Sequence, residues 1–120
     1  MILAINFKKF VRSFKFAISG IKTIFEEEHA FKIMFLVAIL VIIAAFYFNL
    51  PLTQKAVVFT MIILVLILEL VNSVIEKVLD FVCSGFNGKV KIIKNVLAGI
   101  VLLASLGAAL IGILIFLPYF

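Results

Sequence analysis

The 120-residue sequence predicts an all-α membrane protein, with three transmembrane helices preceded by an amphipathic helix on the membrane surface. Three observations predict it. The chain is 67% hydrophobic with a mean hydropathy of +1.41, whereas soluble domains are about half apolar. Only 14% of its residues are charged, and these are clustered rather than spread. Three apolar stretches each reach the ~20 residues that cross ~30 Å of hydrocarbon as a helix. The length leaves room for one domain, residues 1–120.

The first element runs over about 3–27. Leu3, Phe7, Phe10, Val11, Phe14, Ile18, Ile21 and Phe25 recur at three- and four-residue steps. Lys8, Arg12, Lys15, Ser19 and Lys22 recur in the same way on the other side. A helix with a phenylalanine face and a basic face suits the membrane interface. A helix packed on a soluble core is the alternative, but the composition supplies no soluble core. These first residues are charged throughout, with no compact apolar core before a small-residue cleavage site. The expectation is therefore that no signal peptide is removed.

The spans follow at about 31–50, 54–82 and 93–117. Asn49-Leu50-Pro51 separates the first two, and CSGFNGKVK (83–91), with two glycines, separates the last two. Ten of the eleven basic residues precede span one or surround the link between spans two and three. Lysine and arginine mark the cytoplasmic side, so the N-terminus is expected inside and the C-terminus outside. The net charge of +5 is accounted for by these flanks, which argues against a nucleic-acid partner. Cys83 is the only cysteine, so no internal disulfide forms. In span three, Ala104, Ala108 and Gly112 recur every four residues, a spacing that lets helices pack closely.

The second span ends in acid: MIILVLILELVNSVIEKVLD (61–80). At 100° per residue, Ser73, Glu76 and Asp80 fall within about 40° of Glu69, and Asn72 lies about 60° to one side. A central Asp or Lys costs roughly 2.5–3.5 kcal/mol on insertion scales, so this face meets protein or a wet cleft, not lipid. A metal site, a catalytic base and an ion path would each explain it. Glu69 and Glu76 are two turns apart, about 10 Å, too far to share one ion. One can bind metal while the other does acid–base work. Glu26, Glu27 and Glu28 stand at the same end of the membrane as Glu76. Magnesium takes a few carboxylates plus phosphate oxygens and water, so Glu28 with Glu76 suits it if the fold brings them together. The structural alternative is a wet helix end whose acids are paired by lysines.

Lys94 opens the third span at that same end, where a lysine holds phosphate as a point charge. As a positive-inside marker it would need no such role. The GFNGK segment is not a phosphate-binding P-loop, since Gly85 is too near and Val90 follows Lys89. His29 has no histidine or cysteine cluster for a transition metal. No serine–histidine–acid set is present.

ELVNSVIEKVLD (69–80) resembles the E-x-x-N-[ST]-x-[IV]-E-x-x-x-D motif of the small prokaryotic membrane diacylglycerol kinases, a family that includes undecaprenol kinases. FKFAISGIKTIFEEEHAFKI (14–33) is similar to that family's basic-aromatic block, with Gly20 and the terminal Glu28. KIIKNVLAGIVLL (91–103) resembles its K-x-x-K-D-x-x-A-G-x-V-L opening of the last span. The three blocks stand in the family's order over nearly the whole chain.

The resemblance implies a homotrimer with composite active sites between subunits, at the cytoplasmic face of a bacterial cell membrane. It implies phosphoryl transfer from MgATP to a membrane lipid hydroxyl. Diacylglycerol, giving phosphatidic acid, is the first expectation, and undecaprenol is the alternative. Glu69 would be the base and Asn72 would support the catalytic constellation. Glu28 and Glu76 would hold the magnesium. Lys94 would contact the ATP phosphates, with Asp80 and Asn95 completing the nucleotide-binding set. Two departures stand out. The family has aspartate where this chain has Asn95, which keeps the shape and loses the charge. The GFNG loop lacks acidic and histidine residues found in some members. A proton- or ion-translocating subunit and a catalytically weakened relative are the competing readings.

Overall fold

The computed structural model describes residues 2–120, with side chains from Asn6 onward, so Leu3 of the apolar face lies outside the described side chains. Helices α1 (Ile2–Glu27), α2 (His29–Tyr47), α3 (Leu52–Val82) and α4 (Gly88–Phe116) follow one another, and a short 3₁₀ turn, Leu117–Tyr119, ends the chain. The last three helices are long and apolar enough to cross a membrane, with mean hydropathies of 2.6, 2.6 and 2.9. Their large side chains, among them Leu36, Leu40, Ile63, Leu103 and Leu110, are exposed. Such a surface belongs against lipid, because exposed apolar area on this scale is foreign to a water-soluble monomer.

Helix α3 is the hub. It packs against α1, α2 and α4, while α2 and α4 pack on α3 rather than on each other. An apolar cleft of about 590 Å³ is left between α2, α3 and α4, lined by Val37, Val41, Met61, Val65, Ala108 and Gly112 among others. The two ends of the bundle differ in chemistry. One gathers the α1–α2 joint, the end of α3 and the start of α4, and is charged. The other is aromatic: the Phe48 ring lies 6.2 Å from Phe116, 5.6 Å from Tyr119 and 5.2 Å from Phe120. Lys55 Nζ stands 4.8 Å from the centre of the Phe46 ring there.

The helix boundaries have local causes. Span one begins and ends earlier than its apolar run suggests. At its end Asn49 takes a left-handed φ of 56°. Its N–H donates to Phe46 O at 3.2 Å, and Leu50 N–H donates to Ala45 O at 3.1 Å. This is the Schellman pattern, with the left-handed residue just past the cap and an apolar contact across it. That contact is present, since Leu50 and Ala45 are buried together with Val58. Pro51 then opens α3.

Helix α4 starts at Gly88 rather than at about 93. Asn87 caps it, its side-chain oxygen accepting from Lys89 N at 2.9 Å and Val90 N at 3.3 Å. Lys89 and Lys91 therefore lie on a helical turn below the apolar span. A reading of hydropathy alone ends the helix where the lysines begin.

The α1–α2 joint is held by apolar packing. Ile24 and Phe31 are buried, and the Phe25 ring stands edge-on to Phe31 at 6.3 Å and to Phe35 at 5.5 Å. Glu28 breaks the helix there with φ −103° and ψ 110°, and its side chain makes no capping hydrogen bond.

Candidate active site

The site is built at the charged end by α3, the α1–α2 joint and the first turns of α4. Glu69 is only 5% exposed and Ser73 only 1%, although both are polar residues on a membrane span. The acidic face of α3 therefore turns inward, as the cost of a lipid-facing carboxylate requires. Glu76, two turns nearer the charged end, is half-buried on the same face. Lys77, the next residue to Glu76 on α3, has its Nζ 3.6 Å from Glu28 Oε1, so the fold brings the joint's glutamate to the end of the stripe. Asn72 Oδ1 is buried without a hydrogen-bond partner. A buried, unpaired amide oxygen calls for an explanation, and a donor from substrate or a neighbouring subunit would supply one.

The three consecutive glutamates divide their work. Glu26 pairs along α1 with Lys22 at 3.9 Å, on an exposed face. Glu27 and Glu28 point the other way, to Lys77 of α3. Lys77 Nζ donates to Glu27 Oε2 at 2.7 Å and stands 3.6 Å from Glu28 Oε1. Because Glu28 spends nothing on capping, its carboxylate is free for this end of the bundle.

On the other flank, Lys94 Nζ donates to Asp80 Oδ1 at 2.5 Å and ties α4 to α3 across the loop. Asn95 follows Lys94 on the exposed side of α4. The lysine thus has an acidic partner in Asp80 even though its chain neighbour is uncharged.

Glu28, Glu69, Asn72, Glu76, Asp80 and Lys94 therefore lie on the charged half of the fold, though they come from two helices, α3 and α4, and the break between α1 and α2. Among the described residues, no three His, Cys, Asp or Glu side chains converge as a protein-only metal cage. Two carboxylates beside a lysine suit instead a cation that arrives with phosphate oxygens and water as its remaining ligands. In the sequence Lys77 reads only as one of the basic residues around the link between spans two and three. The available signal was the lysine next to Glu76, at the same membrane end as three glutamates that needed a cation.

The prokaryotic diacylglycerol kinase family profile matches residues 15–116. A diacylglycerol kinase of Synechocystis is 36% identical over 107 residues, covering 88% of this chain and 61% of that protein. An undecaprenol kinase of Bacillus subtilis is 31% identical over 110 residues, covering 92% of this chain and 89% of that protein. The chain thus spans less than two thirds of the first relative and most of the second. With a family match over most of its length and three helices of spanning character, it is a multi-pass membrane protein that belongs to the prokaryotic diacylglycerol kinase family.

Proposed function

We propose that this chain is an ATP-dependent lipid kinase, transferring the γ-phosphoryl group of ATP to the hydroxyl of a membrane lipid. Diacylglycerol is the first candidate, giving phosphatidic acid. Undecaprenol is the second, favoured by the near full-length match to the Bacillus subtilis protein. The observation that carries the reading is the buried carboxylate of Glu69, set two turns deeper than Glu76 on the same face of α3. Water-soluble and membrane-borne reactants would meet between those depths.

In this reading Glu69 accepts the proton of the lipid hydroxyl as its oxygen attacks the γ-phosphorus. A carboxylate deep in the span suits an alcohol arriving from the bilayer, and general-base catalysis needs it within hydrogen-bond reach of that proton. The new bond joins the lipid oxygen to the γ-phosphorus. The bond to the β–γ bridging oxygen breaks, and its electron pair leaves on ADP. Lys94 holds phosphate charge, with Asp80 fixing its ammonium and Asn95 beside it. Glu28 and Glu76 would hold Mg²⁺, which would supply charge neutralisation to the phosphate oxygens. Asn72 orients the reacting groups with its unpaired oxygen. Positioning and charge neutralisation do most of the work in such transfers.

The charged end would face the cytoplasm of a bacterial cell, where ATP is, and α1 would lie on that leaflet with its phenylalanines in lipid. Assembly as a homotrimer is supported by the family resemblance. A second subunit is one source of the donor that Asn72 lacks. The test is transfer of ³²P from γ-labelled ATP into organic-extractable lipid, with purified protein in mixed micelles and diacylglycerol or undecaprenol supplied in parallel. Label in either lipid supports the kinase and names its substrate. Label in neither removes the reading, and proton flux in liposomes would then favour the ion-path alternative.

A further inference from the structure

We infer that Lys77 is a positioning residue for the divalent-cation site: it clamps the α1–α2 joint to α3 and so presents Glu28 beside Glu76. The inference rests on the proposed role of Glu28 and Glu76 as cation ligands.

Lys77 follows Glu76 directly but points about 80° round the helix from Glu69, so it flanks the acidic face rather than joining it. Its two contacts are unequal: 2.7 Å to Glu27 is a direct charge-assisted hydrogen bond, and 3.6 Å to Glu28 is not. The tight partner is the last residue of α1 and the loose partner is the break itself. Glu28 can therefore give its oxygens to a cation while Lys77 stays on Glu27. The rest of the joint is aromatic packing, which fixes distance between helices and leaves the direction of a carboxylate at an extended residue unset. Lys77 is 46% exposed and Glu27 53%. Ion pairs that open to solvent contribute little to overall stability. The consequence of this pair is then geometric: it sets where Glu28 stands, as partners of metal-binding carboxylates do.

The experiment uses the full-length chain in detergent micelles. Affinity for Mn²⁺ with β,γ-methylene-ATP is read from water-proton relaxation, which needs no turnover. Lys77→Met is expected to weaken Mn²⁺–nucleotide binding by up to about fivefold, the most that an ion pair this open to solvent can contribute. The Mg²⁺ concentration for half-maximal transfer rises in step, while kcat at saturating Mg²⁺ changes little. Glu27→Gln, which leaves both ligands in place, gives the same shift. Combining it with Lys77→Met adds nothing further, and Lys77→Arg restores binding. Unchanged affinity in Lys77→Met overturns the inference. So does tighter binding, which would mean that the lysine only competes with the cation for Glu28. Weakening that Arg does not rescue also overturns it. If the unsubstituted protein itself binds no Mn²⁺–nucleotide, the proposed function fails first, and that result is distinct from a variant that matches it.

Discussion

Lys94 Nζ donates to Asp80 Oδ1 at 2.5 Å, joining the first turns of α4 to the last turns of α3. The contact bears on the replacement of the family's aspartate by Asn95. Lys94 keeps one acidic partner, Asp80 on the facing helix, although the second acid that the motif places at position 95 is absent.

Asp80→Asn is therefore expected to raise KM for ATP by up to about fivefold and leave kcat nearly unchanged. The pair is open to solvent, and screening limits what it can contribute. Lys94→Met removes the cation proposed to hold the phosphates and is expected to lower kcat/KM far more. Asn95→Asp gains little, because it adds a second acid to a lysine that has one. Steady-state kinetics at varied ATP separates the three. A large gain in Asn95→Asp would show that Asp80 does not substitute for the missing aspartate.

Glu28→Gln and Glu76→Gln are each expected to raise the Mg²⁺ requirement by at least the ~10–100-fold that changes around a metal ligand produce. The two effects are expected to overlap when combined if both carboxylates serve one ion, as proposed. Activity titrated against Mg²⁺ at fixed ATP checks this.

The orientation is testable with the native cysteine. Cys83 is a free, half-buried thiol in the α3–α4 loop, its Sγ 3.5 Å from Gly85 O. A membrane-impermeant maleimide is expected to label it in inside-out vesicles and not in right-side-out ones. Labelling from the outer face would invert the topology that the lysines predict.

Two turn residues carry local stability. Asn49 sits at φ 56°, so Asn49→Val is expected to cost ~1–2 kcal/mol, with Asn49→Gly close to neutral. Asn87→Ala removes the cap of α4 and is expected to cost about 1 kcal/mol. Thermal unfolding in micelles reads both.

The spans were legible in the sequence because twenty apolar residues in a row have few other uses. Glu69 and Ser73 were legible as inward-facing because lipid does not tolerate a carboxylate. Boundaries were less so. Helix α4 begins below its apolar run because Asn87 caps it, and hydropathy does not register a cap. The partners of the charges were the least legible. Glu26, Glu27 and Glu28 are adjacent in sequence yet divide between Lys22 and Lys77. Glu26 and Glu27 part because successive side chains of α1 turn about 100° from one another, and the break at Glu28 brings its carboxylate round to the same lysine as Glu27. The pairing of Lys94 with Asp80 depends on the length of a loop that no motif encodes.

The buried carboxylate of Glu69 is the group proposed to activate a lipid hydroxyl as its base. The most direct measurement compares kcat of the unsubstituted protein and Glu69→Gln for ATP-to-lipid transfer, with Mn²⁺–nucleotide affinity measured on the same preparations. Loss of a general base at this position is expected to lower kcat by about 10²–10⁴-fold with nucleotide affinity retained. Transfer by Glu69→Gln at the unsubstituted rate would contradict that role.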